Sequence, residues 1–306
     1  IAFAIGSGVS PDKGLITAVI AGFIIALFGG SRVQISGPTG ALVVVVYGVV
    51  HQYGIDGLII VTFMSGGILI LLGLLRLGSV IKFIPQSLTV GFTSGIALLI
   101  FSLQVKDSLG LNIDNVPVRF IDKWSTYFTH LDSINLWAVG ISLSTIGIVF
   151  LFKRLKSKIP GTIVALILAT IVVQFFNIPV TTIESQFGDF PATIPMPHIP
   201  NMSLEVIQNL IAPAFTIAVL GAIISLLSAV VTDGMTGFNH RSNMELVAQG
   251  AGNIFSSLFG GIPATGAIAR TVVNVQNGGR SPFVGLLHAI VLLLIMLFAG
   301  RWAKLI

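Results

Sequence analysis

Two stretches of this 306-residue chain have the residue types that hold an anion. Ser36-Gly37-Pro38-Thr39-Gly40-Ala41 and Gly261-Ile262-Pro263-Ala264-Thr265-Gly266-Ala267 each place helix breakers and a hydroxyl just before a short apolar run. A helix starting at such a point presents unpaired backbone N–H groups and the positive end of its dipole. Helix ends of this kind bind anions. The hydroxyls of Ser36, Thr39 and Thr265 can add donors. Arg270 follows Thr265 by five residues, little more than one helical turn, and would add positive potential at the same place. It is the one charged residue well inside an apolar run, and an Arg at membrane depth is costly enough to suggest function. The structural alternative is an Arg paired with a backbone carbonyl or an acid.

Other chemistries find less support. The chain has no cysteine, which removes thiolate metal sites and Cys nucleophiles. His288 stands alone in an apolar run, and His51, His130, His198 and His240 have no ligand spacing. Asp233 and Glu245 flank a loop and suit helix caps or partners for Lys or Arg. With no nucleophile–base pair at depth, a membrane enzyme is disfavoured. No cofactor or metal site is expected.

The elements that must position these residues are membrane spans. The chain is 54% hydrophobic and 9% charged, against roughly a quarter charged in soluble domains. A spanning helix needs about 20 apolar residues. Apolar runs occupy 1–9, 15–28, 40–50, 57–75, 79–103, 134–152, 162–176, 207–231, 246–258, 266–275 and 284–299. The runs at 40–50, 246–258 and 266–275 are too short to cross alone. The longer loops, 104–133 and the proline-rich 177–206, fall on one side, assigned as outside. Lys153, Arg154, Lys156 and Lys158 then lie in an inner loop, as positive charge should. Orientation in a membrane, not nucleic-acid binding, accounts for the net charge of +5.

The halves also repeat. Leu27-Phe28-Gly29-Gly30 recurs as Leu258-Phe259-Gly260-Gly261, and Thr39-Gly40-Ala41-Leu42 as Thr265-Gly266-Ala267-Ile268, at offsets of 231 and 226 residues. An odd number of spans separates the copies, so the second is inverted. Inverted repeats with interrupted helices are a signature of secondary transporters.

At these residues the sequence resembles the sulfate permease (SulP) family. The matching stretches are AIGSGVSPDKGL at 4–15, GGSRVQISGPTGA at 29–41, GFTSGI at 91–96, VVTDGMTG at 230–237, NMELVAQGAGN at 243–253 and GGIPATGAIARTVVN at 260–274. Among bacterial members the C4-dicarboxylate type looks closest, through GFTSGI, DGMTG and IAR. The bicarbonate branch looks more distant because it lacks an Arg at the position of Arg270.

The resemblance implies an all-α membrane protein of fourteen spans in two inverted sevens, with half-helices 3 and 10 meeting at the midplane. Residues 1–75 would be the first half of a core domain (spans 1–4, the first truncated) and 76–203 part of a gate domain (spans 5–7). Residues 204–306 would be the second half of the core (spans 8–11). The chain reads as a fragment with about eleven spans, the last three and a following STAS domain absent. By motif match the anion site would use Phe3, Ser36, Thr39, Gly40, Thr265, Gly266 and Ala267, with Arg270 nearby. The implied partners are a small anion, the lipid bilayer and, in the full-length form, a second copy; the implied location is the bacterial inner membrane.

One position departs from the family. Many members carry an acid in span 8, in a pattern like GAIES, tied to proton or sodium coupling. Here the residues are Gly221-Ala222-Ile223-Ile224-Ser225, and Ile224 holds the acid's place. The expectation is therefore exchange or uncoupled transport of sulfate, dicarboxylate, bicarbonate or chloride. The alternatives are a channel-like anion conductor and a proton symporter using another group. A nucleobase carrier of the same fold is disfavoured, since the site has a cation and no acid.

Overall fold

The computed structural model describes residues 1–79, 86–113, 116–117, 119–155, 160–188, 193–303 and 305; side chains at 86–90, 92, 93, 301 and 303 are outside the description. Helix is the dominant structure of the described residues, and the strands they contain are two residues long. In chain order the elements are α1 (Ala2–Gly6), α2 (Pro11–Phe28), β1 (Ser36–Gly37), α3 (Gly40–Leu74), α4 (Gln86–Leu109), α5 (Phe120–Thr129), α6 (Leu136–Arg154) and α7 (Gly161–Phe176). They continue as α8 (Ile183–Phe187), α9 (Leu204–Thr236), α10 (Ser242–Leu258), β2 (Thr265–Gly266), α11 (Ile268–Gln276), α12 (Phe283–Leu294) and α13 (Gly300–Ala303). Among them α2, α3, α6 and α9 are long and apolar enough to cross a membrane, and α7 and Phe283–Ala299 are shorter apolar segments.

Among the described residues each apolar run contributes a helix (residues 80–85 of the run 79–103 lie outside the description, and the run 1–9 is helical over Ala2–Gly6), with three differences. The runs at 40–50 and 57–75 join into α3, bent where Gly54 takes φ 71°. That backbone region suits glycine and few other residues. The second broken helix begins at Ile268 rather than Thr265, because Thr265 and Gly266 are extended and paired. The loop 104–133 is in good part helix: α4 runs on to Leu109, and α5 forms from a segment whose mixed polarity read as loop.

Two compact units result. The first comprises Ile1–Ile96 with Ala192–Phe298, and the second Ala97–Pro191 with Ala299–Ile306. In the first, α3 packs against α9 and α10, and α2 against α10 and α12. Its main core joins Ala4, Leu42, Val46, Leu58, Ile217, Ile224 and Ile262. The second has α6 against α7 and a small core of Leu111, Ile113 and Tyr127.

The α3–α10 crossing depends on missing side chains. A Cβ on Gly250 would lie 2.5 Å from the carbonyl oxygen of Gly66, and one on Gly66 would lie 2.6 Å from that of Gly250. The backbones touch, as small residues permit between membrane helices. Gly250→Ala should therefore lower stability by roughly 1–3 kcal/mol, the usual cost of overpacking. Gly140→Ala, on an α6 face with no atom near the added Cβ, should leave stability unchanged or raise it. Thermal unfolding of both variants in detergent, followed by size-exclusion recovery, checks the contrast.

Candidate functional site

The site is built on one short strand pair. Ser36 pairs with Gly266, and Gly37 with Thr265, in antiparallel register. This gives partners to backbone that two interrupted helices would leave bare, which is the condition for irregular chain at membrane depth. Further bonds fix the register. Ala267 N–H donates to Ile35 C=O at 2.9 Å, and the Thr271 hydroxyl accepts from Ile35 N–H at 3.1 Å. Asn274 Nδ2 donates to Val33 C=O at 2.8 Å, and Ser225 Oγ accepts from Gly266 N–H at 3.0 Å.

The pairing brings the two threonines together. Thr39 Oγ1 and Thr265 Oγ1 are 2.8 Å apart. One hydroxyl donates to the other, so the acceptor keeps its own proton for a further partner. Both are nearly sealed, at 9% and 1% exposure. Thr39 is the N-cap of α3 and Ala267 that of α11, and no side chain caps either helix. Gly40 and Ala41 of α3 are half-open, as is Ile268 of α11, while Ala269 is exposed. What these helix starts offer outward is backbone N–H.

The remaining sequence-selected residues divide. Gly266 is buried, and a Cβ there would run into the Gln34 amide, so Gly is required for the pairing. Ala267 is also buried. Arg270 reaches the opposite repeat: its Nη2 donates to the carbonyl of Pro38, and its Nη1 lies 3.1 Å from where a Gly37 Cβ would be. This is the carbonyl pairing named above as the structural alternative. It occupies one of five guanidinium donors. The Ser36 hydroxyl is buried and accepts from Gln249 Nε2 at 3.2 Å, keeping its own proton. Phe3 lies on α1, which packs on α2 and α3, with its ring 39% exposed. Ile224 is sealed in the apolar core beside Ile217 and Ile262.

Sequence reasoning missed the acid at this site. Glu245 does not cap a helix or meet a Lys or Arg. It lies within α10, fully buried, and all its partners are donors. Oε2 accepts from the N–H groups of Gly30 and Ser31 at 2.8 and 3.1 Å. Oε1 accepts from Gln34 Nε2 at 2.7 Å and Gln249 Nε2 at 2.9 Å. Four donors thus converge on the two carboxyl oxygens. The chain approaches so closely that a Cβ on Gly30 would strike the carbonyl of Arg241. The available signal was the i, i+4 spacing of Glu245 and Gln249 in an apolar helix, which a span drawn from Leu246 hid. Asp233, the other flanking acid, bonds His240 Nδ1 at 2.6 Å.

With this geometry in view, the comparisons with known proteins define the class. The sulfate permease family matches residues 1–306, and the chain belongs to that family. YvdB of Bacillus subtilis is 44% identical over 99% of this chain and 57% of its own. The bicarbonate transporter BicA of Picosynechococcus is 37% identical over 98% of this chain and 54% of its own. The chain thus spans little more than half the length of these relatives. The solved transmembrane domain of a cyanobacterial BicA superposes with a TM-score of 0.89 at 35% identity, covering 100% of this chain and 80% of that one. The fold is that of this transporter domain. The proteins so matched are named as transporters, not enzymes.

Truncating the missed acid gives a clean test. Glu245→Ala strands the buried Ser31 N–H, at about 1–3 kcal/mol, and the part-buried Gly30 N–H. Glu245→Gln puts an NH2 against donors and should also destabilise, whereas a neutral carboxylic acid there would tolerate the amide. Thermal unfolding of the two variants of the full-length protein separates these cases.

Proposed function

We propose that the full-length protein carries small anions across the bacterial inner membrane by alternating access. The anion binds where the starts of α3 and α11 converge. The observation that carries this reading is the Thr39–Thr265 contact within the β1–β2 pairing, which aims two uncapped helix N-termini at one place. Thr39, Gly40, Thr265, Gly266 and Ala267 form the cradle, Phe3 borders it, and Arg270 supplies field. Sulfate, dicarboxylate, bicarbonate and chloride all match this donor set. The names of the relatives support the inorganic members: YvdB is described as a candidate sulfate transporter and BicA as a bicarbonate transporter.

The core domain of 1–75 with 204–306 moves against the gate of 76–203 in this reading. The two compact units support the division, although they draw its borders at 96/97, 191/192 and 298/299. Coupling to a cation is absent. Ile224 is locked in apolar packing and offers no place for a proton or sodium to come and go. Transport is then driven by the anion gradient or by a counter-anion.

The full-length protein in liposomes, with labelled anions and an imposed proton gradient, tests both parts. Saturable uptake with counterflow and little response to the proton gradient is expected. Single-channel currents without saturation would refute the carrier, and accumulation driven by the proton gradient alone would refute the absence of coupling. Arg270→Ala should raise the half-saturation concentration about tenfold, since losing one nearby charge at an effective dielectric of about 20 costs roughly 1–2 kcal/mol. Arg270→Lys should restore part of it, because a point charge replaces a field but not a bidentate fork.

A further inference from the structure

The helix α5 is short, lies outside the proposed site and has three distinct faces. One face is turned to protein. Lys123 and Tyr127 are buried there, against Leu111 and Ile113. Tyr127 Oη donates to the carbonyl of Ser102 at 3.0 Å, and Trp124 Nε1 donates to the hydroxyl of the same residue at 3.1 Å. A second face carries Asp122, Ser125 and Thr129, all exposed. The third face carries Phe120, Ile121 and Phe128, with Trp124 shared with the protein side. Ile121 is 80% and Phe128 66% exposed. The aromatic rings run in a row, Phe120 to Trp124 at 6.3 Å and Trp124 to Phe128 at 6.0 Å.

A solvated loop gains nothing by presenting such a row to water. The location of α5 explains it. Ser102 lies seven residues before the end of α4 at Leu109, about 10 Å along a helix axis. Asn135 N–H donates to the carbonyl of Leu109 at 3.0 Å, joining the end of α4 to the start of α6. The helix α6 is itself long and apolar enough to span, and its first turn exposes Leu136 and Trp137. Thus α5 is fastened where a span begins. There an apolar flank, a polar flank and an aromatic row between them match the boundary of headgroups and acyl chains, where aromatic residues concentrate and amphipathic helices lie flat.

We propose that α5 is an interfacial membrane helix: Phe120, Ile121 and Phe128 insert into the lipid boundary, while Asp122, Ser125 and Thr129 face water. The partner is the lipid surface. The helix would set the depth of α4 and α6 in the bilayer, independently of what the protein carries.

The test uses the full-length protein in liposomes, with any cysteine outside residues 1–306 replaced by serine; the stretch 1–306 has none. Single cysteines at Ile121, Phe128, Ser125 and Thr129 receive a nitroxide label. Collision with oxygen, which partitions into lipid, is compared with collision with a water-soluble nickel chelate. The oxygen-to-nickel ratio at 121 and 128 should be several-fold above that at 125 and 129. Labels at 121 and 128 that are immobile and shielded from both reagents would mean that protein, from the rest of the chain or a second copy, covers the flank. A nickel-accessible 121 and 128 would mean that the flank lies in water. Either result overturns the proposal. Because all four side chains are exposed, the substitutions leave the packed face of α5 intact.

Discussion

The antiparallel pairing of Ser36–Gly37 with Thr265–Gly266 is the contact on which the first compact unit turns. Two helices stop inside the apolar interior, and each stop leaves backbone groups that hydrocarbon cannot satisfy. Pairing Ser36–Gly37 with Thr265–Gly266 gives partners to the backbone just before each helix start and leaves the first N–H groups of α3 and α11 uncapped. It also fixes where α3 and α11 begin, and it places Thr39 against Thr265. The small residues follow from it. Gly266 must admit the Gln34 amide, and Gly37 must let the Arg270 guanidinium pass to the Pro38 carbonyl. Arg270, contributed by one repeat, donates to the Pro38 carbonyl of the other and so fastens the two halves.

Behind the pairing stands Glu245. Its carboxylate gathers the Gly30 and Ser31 amides from the approach to β1, Gln34 from the same segment, and Gln249 from its own helix. Gln249 in turn reaches the Ser36 hydroxyl. The approach to the first helix stop is thereby tied to α10, which is itself held to α3 by direct backbone contact at Gly66 and Gly250. An acid buried without a cation partner is costly, and four donors offset much of that cost.

Much of this was legible in the sequence because its physics is local. Apolar run length marked the helices. The breakers at Ser36–Pro38 and Gly261–Pro263 marked the interruptions, and the recurrence of Thr-Gly-Ala marked two copies of one device. What was not legible depends on contacts between segments distant in sequence. Nothing near Thr265 says that it is extended; the strand forms because Gly37 is opposite it. Glu245 looks like a loop acid until Gly30, Ser31 and Gln34, more than 200 residues away, supply its donors. That Gln249 donates to the Ser36 hydroxyl could not be read from the sequence either. In α5 the signal was present in the 120–129 segment, but a window tuned to long apolar runs passes over a short amphipathic helix.

The central claim is that two helix starts make one anion locus, and anomalous scattering measures it most directly. Crystals of the full-length protein soaked in selenate or bromide would show the anion by its own signal. A peak within hydrogen-bond reach of the backbone N–H groups of Gly40 and Ala41 from α3 and of Ile268 and Ala269 from α11 is the predicted result. A peak bound to only one helix start, or one lying elsewhere in a protein competent to transport the same anion, would contradict the account.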